Sequence, residues 1–463
     1  MSAIAGLWSF DSRVNVSQAC RTMLSALSIY GADRSVEYSD SAVAMGHCML
    51  RLLPEDRFDR QPLCGEGVSA LVADLRLDNR EEIARDLKIP LDDAAGLADS
   101  DLLLAAWQRW REGCLDRFSG AYSFAVWNAG EQELFLARDH TGERPLYYFS
   151  SKDCFAFASM PKGLHPLPFV QAEIDEDYVV RYLTAVLTPM EQTIFRRITR
   201  LPPGSAMSVR PGKIRLWRYW KTDQLEPLPP RSDEEYLEQF REIFDEAVRS
   251  RLRTTGGIGS DLSGGLDSSS VATTAAHLLA RQGRGLTAFT AVPRAEFDGV
   301  VDRDHFGNEG PAAAEVAAIY PNMRHVLVDA SHLSFLDVVD HNNWLYDLPA
   351  GGPTNEVWFN AIMQQAQAAG VTVLLNGSNG NVTFSDYGLT GLSGLFRSGR
   401  WFTLAKLAVQ LKMQRSASLR SVLRNSVWPS LPFWLRRLTD PHMRSFSLEY
   451  SPLRPEIIQR LGL

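Results

Sequence analysis

The stretch Leu262-Ser263-Gly264-Gly265-Leu266-Asp267-Ser268-Ser269-Ser270 constrains the second half of the chain more than any other feature. It follows Ile258 to Leu262, which reads as a strand, and it opens a helical pattern at 268–280. Two adjacent glycines let the backbone turn tightly and approach a bound group closely. The helix start beyond them offers unpaired N–H groups and the positive end of the helix dipole. Ser263, Ser268 and Ser269 add hydroxyl donors. A phosphate group is the natural occupant of such a turn. The surrounding pattern alternates: strands at 286–292, 325–328 and 371–375, helices at 310–319 and 357–368. Alternation of this kind implies a parallel sheet with helices on both faces.

The first 220 residues or so read differently, as strand-rich. Tyr122-Ser123-Phe124-Ala125-Val126-Trp127 and Glu133-Leu134-Phe135-Leu136-Ala137-Arg138 are short apolar runs joined by Asn128-Ala129-Gly130-Glu131, which predicts a hairpin. An amphipathic helix precedes them at 101–113, with Leu102, Leu103, Ala106, Trp107 and Trp110 on one stripe. Glu226-Pro227-Leu228-Pro229-Pro230-Arg231-Ser232 reads as a linker. Ser232 followed by Asp233-Glu234-Glu235 reads as a helix start. A chain of 463 residues is too long for one ordinary core. The division expected is 1–222, a linker at 223–232, and 233–463.

A net charge of −7 gives no reason to expect nucleic acid. No run of 18 apolar residues suggests a membrane span. The start, Met1-Ser2-Ala3-Ile4-Ala5-Gly6, has neither a basic region nor a long apolar run, so no signal peptide is expected and the location implied is cytoplasmic. The five cysteines, odd in number and without a CxxC pair, suggest thiols in a reducing compartment and no zinc site. From Arg397 to Arg444 there are ten Lys or Arg residues against one acid, Asp440. That segment reads as a solvated helical face, or else as a surface for a peptide or partner protein.

The string Ser263 to Ser268 resembles the loop of the ATP-pyrophosphatases, not the Walker-type loop with its Gly-Lys-Ser/Thr. The first half is similar to the glutaminase domain of the asparagine synthetase superfamily. The similar stretches are Asp101-Leu102-Leu103-Leu104, Phe118-Ser119-Gly120-Ala121-Tyr122-Ser123-Phe124-Ala125-Val126-Trp127, Leu136-Ala137-Arg138-Asp139-His140-Thr141-Gly142-Glu143-Arg144-Pro145-Leu146-Tyr147-Tyr148, Phe157-Ala158-Ser159 and Leu201-Pro202-Pro203-Gly204. Over nearly its whole length the chain resembles that superfamily. The resemblance implies an α/β protein: an αββα domain of N-terminal-nucleophile type, then a Rossmann-like parallel-sheet ATP-pyrophosphatase domain. It implies ATP and Mg²⁺ as cofactors. Leu262, Ser263, Gly264, Gly265, Asp267, Ser268, Ala291, Val292, Asn376 and Gly377 would bind nucleotide. Ser263 and Asp267 would act in catalysis, and Asp267 and Asp386 would hold the metal.

The departures from the family carry as much information. Its glutaminase nucleophile is an N-terminal cysteine that doubles as its own base; here the position is Ser2. Its RGPD stretch reads Tyr30-Gly31-Ala32-Asp33, its glutamine-gripping arginine aligns with Met49, and its oxyanion-hole Asn-Gly aligns with Asp74-Leu75. A carboxylate there repels a developing oxyanion, so Ser2 is expected to be inactive. In the second half, Gly377-Ser378-Asn379-Gly380-Asn381 lacks both the tyrosine of β-lactam synthetases and the glutamate of asparagine synthetases. The second metal carboxylate aligns with Asn381, for which Asp386 is the candidate substitute. Lys406 and Lys412 are the only lysines after Lys221, and neither stands where the family's catalytic lysine is recognisable. The run Asn376 to Gly388 looks most like lasso-peptide macrolactam synthetases (lasso cyclases), although the chain ends sooner than those do.

These features imply an AMP-forming ligase that adenylates a carboxylate and closes an amide, with a lasso-peptide macrolactam as product. The substrate would be a peptide or small carboxylate. A lasso-pathway protease and leader-binding protein would be partners. An asparagine synthetase, fed by ammonia or by glutamine, is the alternative within the class. A catalytically inactive paralogue serving as a binding or scaffold protein is the alternative outside it.

Overall fold

The computed structural model describes residues 1–184, 188–226, 228–229, 231–297, 307–349, 352–385, 389, 391–413, 418–432, 435–436 and 456. In the first half the chain forms two antiparallel sheets of six strands. One runs in the order Thr199–Arg200, Tyr147–Ser150, Cys154–Ala158, Ala3–Ser9, Val43–Met49, Arg34–Ser39. The other runs Lys213–Arg218, Ser205–Arg210, Glu133–Arg138, Gly120–Asn128, Val68–Leu77, Leu63–Gly65. Ile4, Trp8, Val43 and Met45 of the first meet Val72, Trp127, Leu136 and Met207 of the second in a common core. The outer face of the first sheet is covered by helix Val16–Leu27 through Cys20, Met23, Leu24 and Leu27. Helix Asp99–Trp110 covers the second through Leu102, Leu103, Ala106 and Trp107. The result is the four-layered αββα arrangement expected.

Local chemistry accounts for the details. The hairpin forms where expected: Asn128 pairs with Glu133, and the Asn128 side-chain oxygen accepts from the Glu131 N–H at 3.0 Å. The amphipathic helix begins two residues earlier than its apolar pattern, at Asp99, because Asp101 caps it by accepting from the Ala98 N–H at 2.9 Å. It stops at Trp110, where Arg111 turns to a positive φ of 52°.

The second half holds a parallel sheet in the order Met323–Val328, Leu286–Ala291, Gly257–Asp261, Val371–Leu375. Helices Asp233–Arg251, Leu266–Ala280 and Gly310–Ala318 bury Val248, Ala272, Ala275, Leu279, Ala313 and Ala317 against one face. Helix Pro353–Ala368 buries Ala361, Ile362 and Ala366 against Phe289 and Val328 on the other. Ser232 and Glu235 close a reciprocal capping box at the start of the first of these helices, with bonds of 3.2 and 2.8 Å. The basic segment contributes helices Leu392–Arg397, Trp401–Met413 and Leu419–Val427, which share a small core of Leu392, Leu411 and Val422. Lys406 and Lys412 lie on the middle one. Among the described residues, no helix is long and apolar enough to cross a membrane. All five cysteines are free; only Cys64 is exposed.

The halves meet along two seams. Arg253 donates to the Leu77 carbonyl at 2.9 Å and to the fully buried Asp99 at 2.8 Å, while Arg76 donates to the Arg253 carbonyl at 3.1 Å. The Leu52 carbonyl accepts from the Thr254 hydroxyl at 3.0 Å and the Thr255 N–H at 2.9 Å. At the second seam Lys162 bonds Asp347 at 3.0 Å, and Tyr30 donates to the Leu345 carbonyl.

Candidate functional site

The Ser263 to Ser268 turn lies on the wall of a cavity of 830 Å³, within the size range of ligand pockets. The turn is held by its own hydroxyls. The Ser263 N–H donates to Ser268 Oγ at 2.9 Å, the two serine hydroxyls stand 2.7 Å apart, and the Gly265 N–H donates to Ser263 Oγ at 3.0 Å. Ser269 donates to the Ser263 carbonyl at 3.2 Å. The helix that follows starts at Leu266, with Gly265 at its N-cap and no side chain capping it. Its first N–H groups are therefore left for an anion.

A second loop packs directly on the first. Asn376-Gly377-Ser378-Asn379-Gly380 leaves strand Val371–Leu375, and the Asn376 side chain accepts from the Ser378 N–H at 3.0 Å. A Cβ at Gly377 would fall 2.5 Å from the Ser268 nitrogen, and one at Gly380 would collide with the Asp267 carboxyl carbon. Neither position has room for a side chain, so these glycines set how closely the two loops approach. Asn379 takes the left-handed conformation between them, at a φ of 66°.

Of the residues singled out in the sequence, Leu262, Ser263, Gly265, Asp267, Ser268, Ala291, Val292, Asn376 and Gly377 all line this cavity. Gly264 lies in the turn itself, where an added Cβ would meet Ala312 at 3.1 Å. Asn381 lines the cavity and accepts from the Ser385 hydroxyl at 3.2 Å. Asp386 falls outside the described residues. For a magnesium ion the fit rests on Asp267, which lines the cavity and whose Oδ1 is buried without a hydrogen-bond partner. Among the described residues no three His, Cys, Asp or Glu cluster as a metal site. A bound nucleotide's phosphates would have to complete any such shell, as hard cations at phosphate sites commonly require.

Sequence reasoning missed three contributors, Trp358, Ile362 and Asp261. Trp358 and Ile362, on helix Pro353–Ala368, wall the cavity opposite the turn. Asp261, the last residue of strand Gly257–Asp261, also lines it; one of its oxygens is buried and unpartnered, and burial pushes its pKa up to about 6.

A second, much smaller cavity of 50 Å³ surrounds Ser2. At ~10–15 Å³ of such space per water it holds a few waters and no amino acid. Ser2 Oγ accepts from the Leu50 N–H at 3.0 Å. Met49 and Asp74 line the cavity as aligned, 3 % and 2 % exposed, with Arg144 3.6 Å from the Asp74 carboxylate. The Gln61 side chain closes it by donating to the Ala73 carbonyl at 3.1 Å and to Asp59 at 2.9 Å. Burial lowers the pKa of the Met1 amine, with Asp74 opposing, and lowers that of His47, whose Nε2 finds no partner.

Residues 1–220 match the glutamine amidotransferase domain family, and residues 239–452 match the asparagine synthase family. The two matches, one after the other, make the chain similar to the asparagine synthetase superfamily. Glutamine-hydrolysing asparagine synthetase 3 of Bacillus subtilis (strain 168) is 26 % identical over 349 residues, which are 74 % of this chain and 56 % of that one. Glutamine-hydrolysing asparagine synthetase 1 of the same organism is 30 % identical over 179 residues, 38 % of this chain and 28 % of its own. An amidase of Gibberella zeae is 25 % identical over 385 residues, 80 % of this chain and 56 % of its own. The chain thus spans about half or less of each of these three relatives.

Proposed function

We propose that the protein is an ATP-dependent, AMP-forming amide ligase whose product is the macrolactam of a lasso peptide. The observation that supports the ligase reading is an uncapped helix N-terminus and a hydroxyl-lined Gly-Gly turn on the wall of an 830 Å³ cavity, beside the unpartnered Asp267 oxygen. Residues 1–222 serve as a degenerate glutaminase-like domain, 223–232 as a linker, and 233–463 as the synthetase domain. The filled cavity around Ser2 favours an amine that does not come from glutamine.

In this reading Ser263, Gly264, Gly265 and Ser268 hold the β- and γ-phosphates through N–H and O–H donors. Leu262, Ala291, Val292, Asn376 and Gly377 line the rest of the nucleotide site. Asp267 would hold Mg²⁺, which supplies charge neutralisation on the leaving pyrophosphate when bound. A substrate carboxylate oxygen attacks the α-phosphorus and pyrophosphate departs. The peptide's own amine then attacks the acyl carbon, loses a proton, and AMP leaves.

Purified protein, ATP and Mg²⁺ with a linear lasso-precursor core peptide test this directly. The expected result is AMP, pyrophosphate and a peptide lighter by one water. Asparagine formed from aspartate and ammonium would refute the macrolactam assignment. Absence of pyrophosphate with every acceptor would refute the ligase.

A further inference from the structure

Asp261 is a carboxylate that the phosphate chemistry leaves unused. It ends strand Gly257–Asp261 and pairs across the sheet with Phe289, so both side chains face helix Pro353–Ala368. Its surroundings on the cavity wall are Phe289, Ala291, Trp358 and Ile362. One oxygen is enclosed with no donor, and burial raises the group's pKa to about 6. A partly buried carboxylate without donors costs free energy, and native proteins seldom keep one without a ligand or ion to satisfy it. Among the described residues no Lys, Arg or His lines the cavity. What binds there can supply donors to the part of the carboxylate that lines the cavity.

Position narrows the donor. Asp261 precedes Ser263 by two residues, about 7 Å along an extended chain. From phosphates held at the turn, that is the depth of a nucleotide's sugar, while the apolar wall beyond it suits the base. A vicinal diol offers two O–H donors, and a carboxylate accepts both in short, charge-assisted bonds. We propose that Asp261 selects the sugar of the nucleotide by accepting hydrogen bonds from the ribose hydroxyls of ATP. This rests on the ATP reading above, which names no residue for that task.

Calorimetric titration of the full chain with Mg²⁺ and either ATP or 2′-deoxy-ATP tests it, in the wild type, Asp261→Leu and Asp261→Asn. The wild type is expected to bind ATP tenfold or more tightly than 2′-deoxy-ATP, the range set by hydrogen bonds to charged groups. Asp261→Leu is expected to lose that preference by weakening ATP alone. Asp261→Asn, which keeps the shape and folds if the leucine variant does not, is expected to show a reduced preference. Equal affinity of the wild type for both nucleotides, or a preference undiminished in both variants, would overturn the assignment. So would unchanged nucleotide binding together with lost amide formation, which would make Asp261 a base for the attacking amine. No binding of either nucleotide by the wild type would overturn the ATP reading itself.

Discussion

Replacing Gly377 with alanine tests the contact on which the proposed nucleotide site is built. The new Cβ would fall 2.5 Å from the Ser268 nitrogen, 2.7 Å from the Asp267 carbonyl carbon and 2.9 Å from the Ser268 Cα. All three are backbone atoms, so no side chain can swing aside. The nearest is roughly 1 Å inside ordinary van der Waals contact. The two loops must therefore part by about that distance, and Ser268 and the helix start move with them. Overpacking of this kind costs about 1–3 kcal/mol of stability. A displacement of ~1 Å in a positioning group costs on the order of a hundredfold in rate. Pyrophosphate release and ATP affinity, measured beside a melting curve, are the assay. The expected pattern is a folded protein with a modestly lowered melting temperature and release reduced by about two orders of magnitude. Gly394→Ala, on helix Leu392–Arg397 where an added Cβ meets nothing, is the control and should leave both unchanged. Full activity and affinity in Gly377→Ala would refute the idea that this approach of the loops positions the phosphates.

Three further outcomes follow from the geometry. Asp267→Asn should abolish pyrophosphate release while the fold is kept; unchanged release would show that this carboxylate holds nothing needed. Arg253→Ala should cost about 3 kcal/mol in denaturant unfolding, because buried Asp99 then keeps only Arg80, at 3.3 Å, as an ionic partner; a loss below half of that would show the seam to be incidental. His47 is buried with its pKa held below the usual 6.5. Its folded form binds fewer protons than the unfolded chain, so its contribution to stability is complete above about pH 6.5 and is lost as pH falls below it. The melting temperature should drop between pH 7 and 5, and His47→Gln should flatten that slope.

The strand-to-helix turn at Ser263 to Ser268 was legible in the sequence because its signal is local: two glycines, spaced hydroxyls and a change of pattern within nine residues. The hairpin at Asn128 and the capping box at Ser232 were legible for the same reason. Strands Ala3–Ser9 and Val43–Met49 show no alternation because both faces of each are buried, between a helix and the opposing sheet. Helix Phe335–Tyr346 was not anticipated, since Leu336, Trp344 and Tyr346 are exposed while Val338 and Asn342 are its buried positions, and no apolar stripe results. Asp261 could not be singled out, because its isolation depends on Phe289, Trp358 and Ile362, which the fold brings together from far along the chain. The tight fit of Gly380 against Asp267 is likewise a property of two distant loops.

The seam at Arg253 bears on how each half depends on the other. Arg76 and Asp99 belong to the half that holds the small cavity around Ser2, and they anchor the segment that leads into the strand before the Ser263 to Ser268 turn. The surface of that half is fixed there by the neighbour built against it. Cutting the chain at the linker would yield no smaller working unit, because each half would be left with ionised groups shaped for the other.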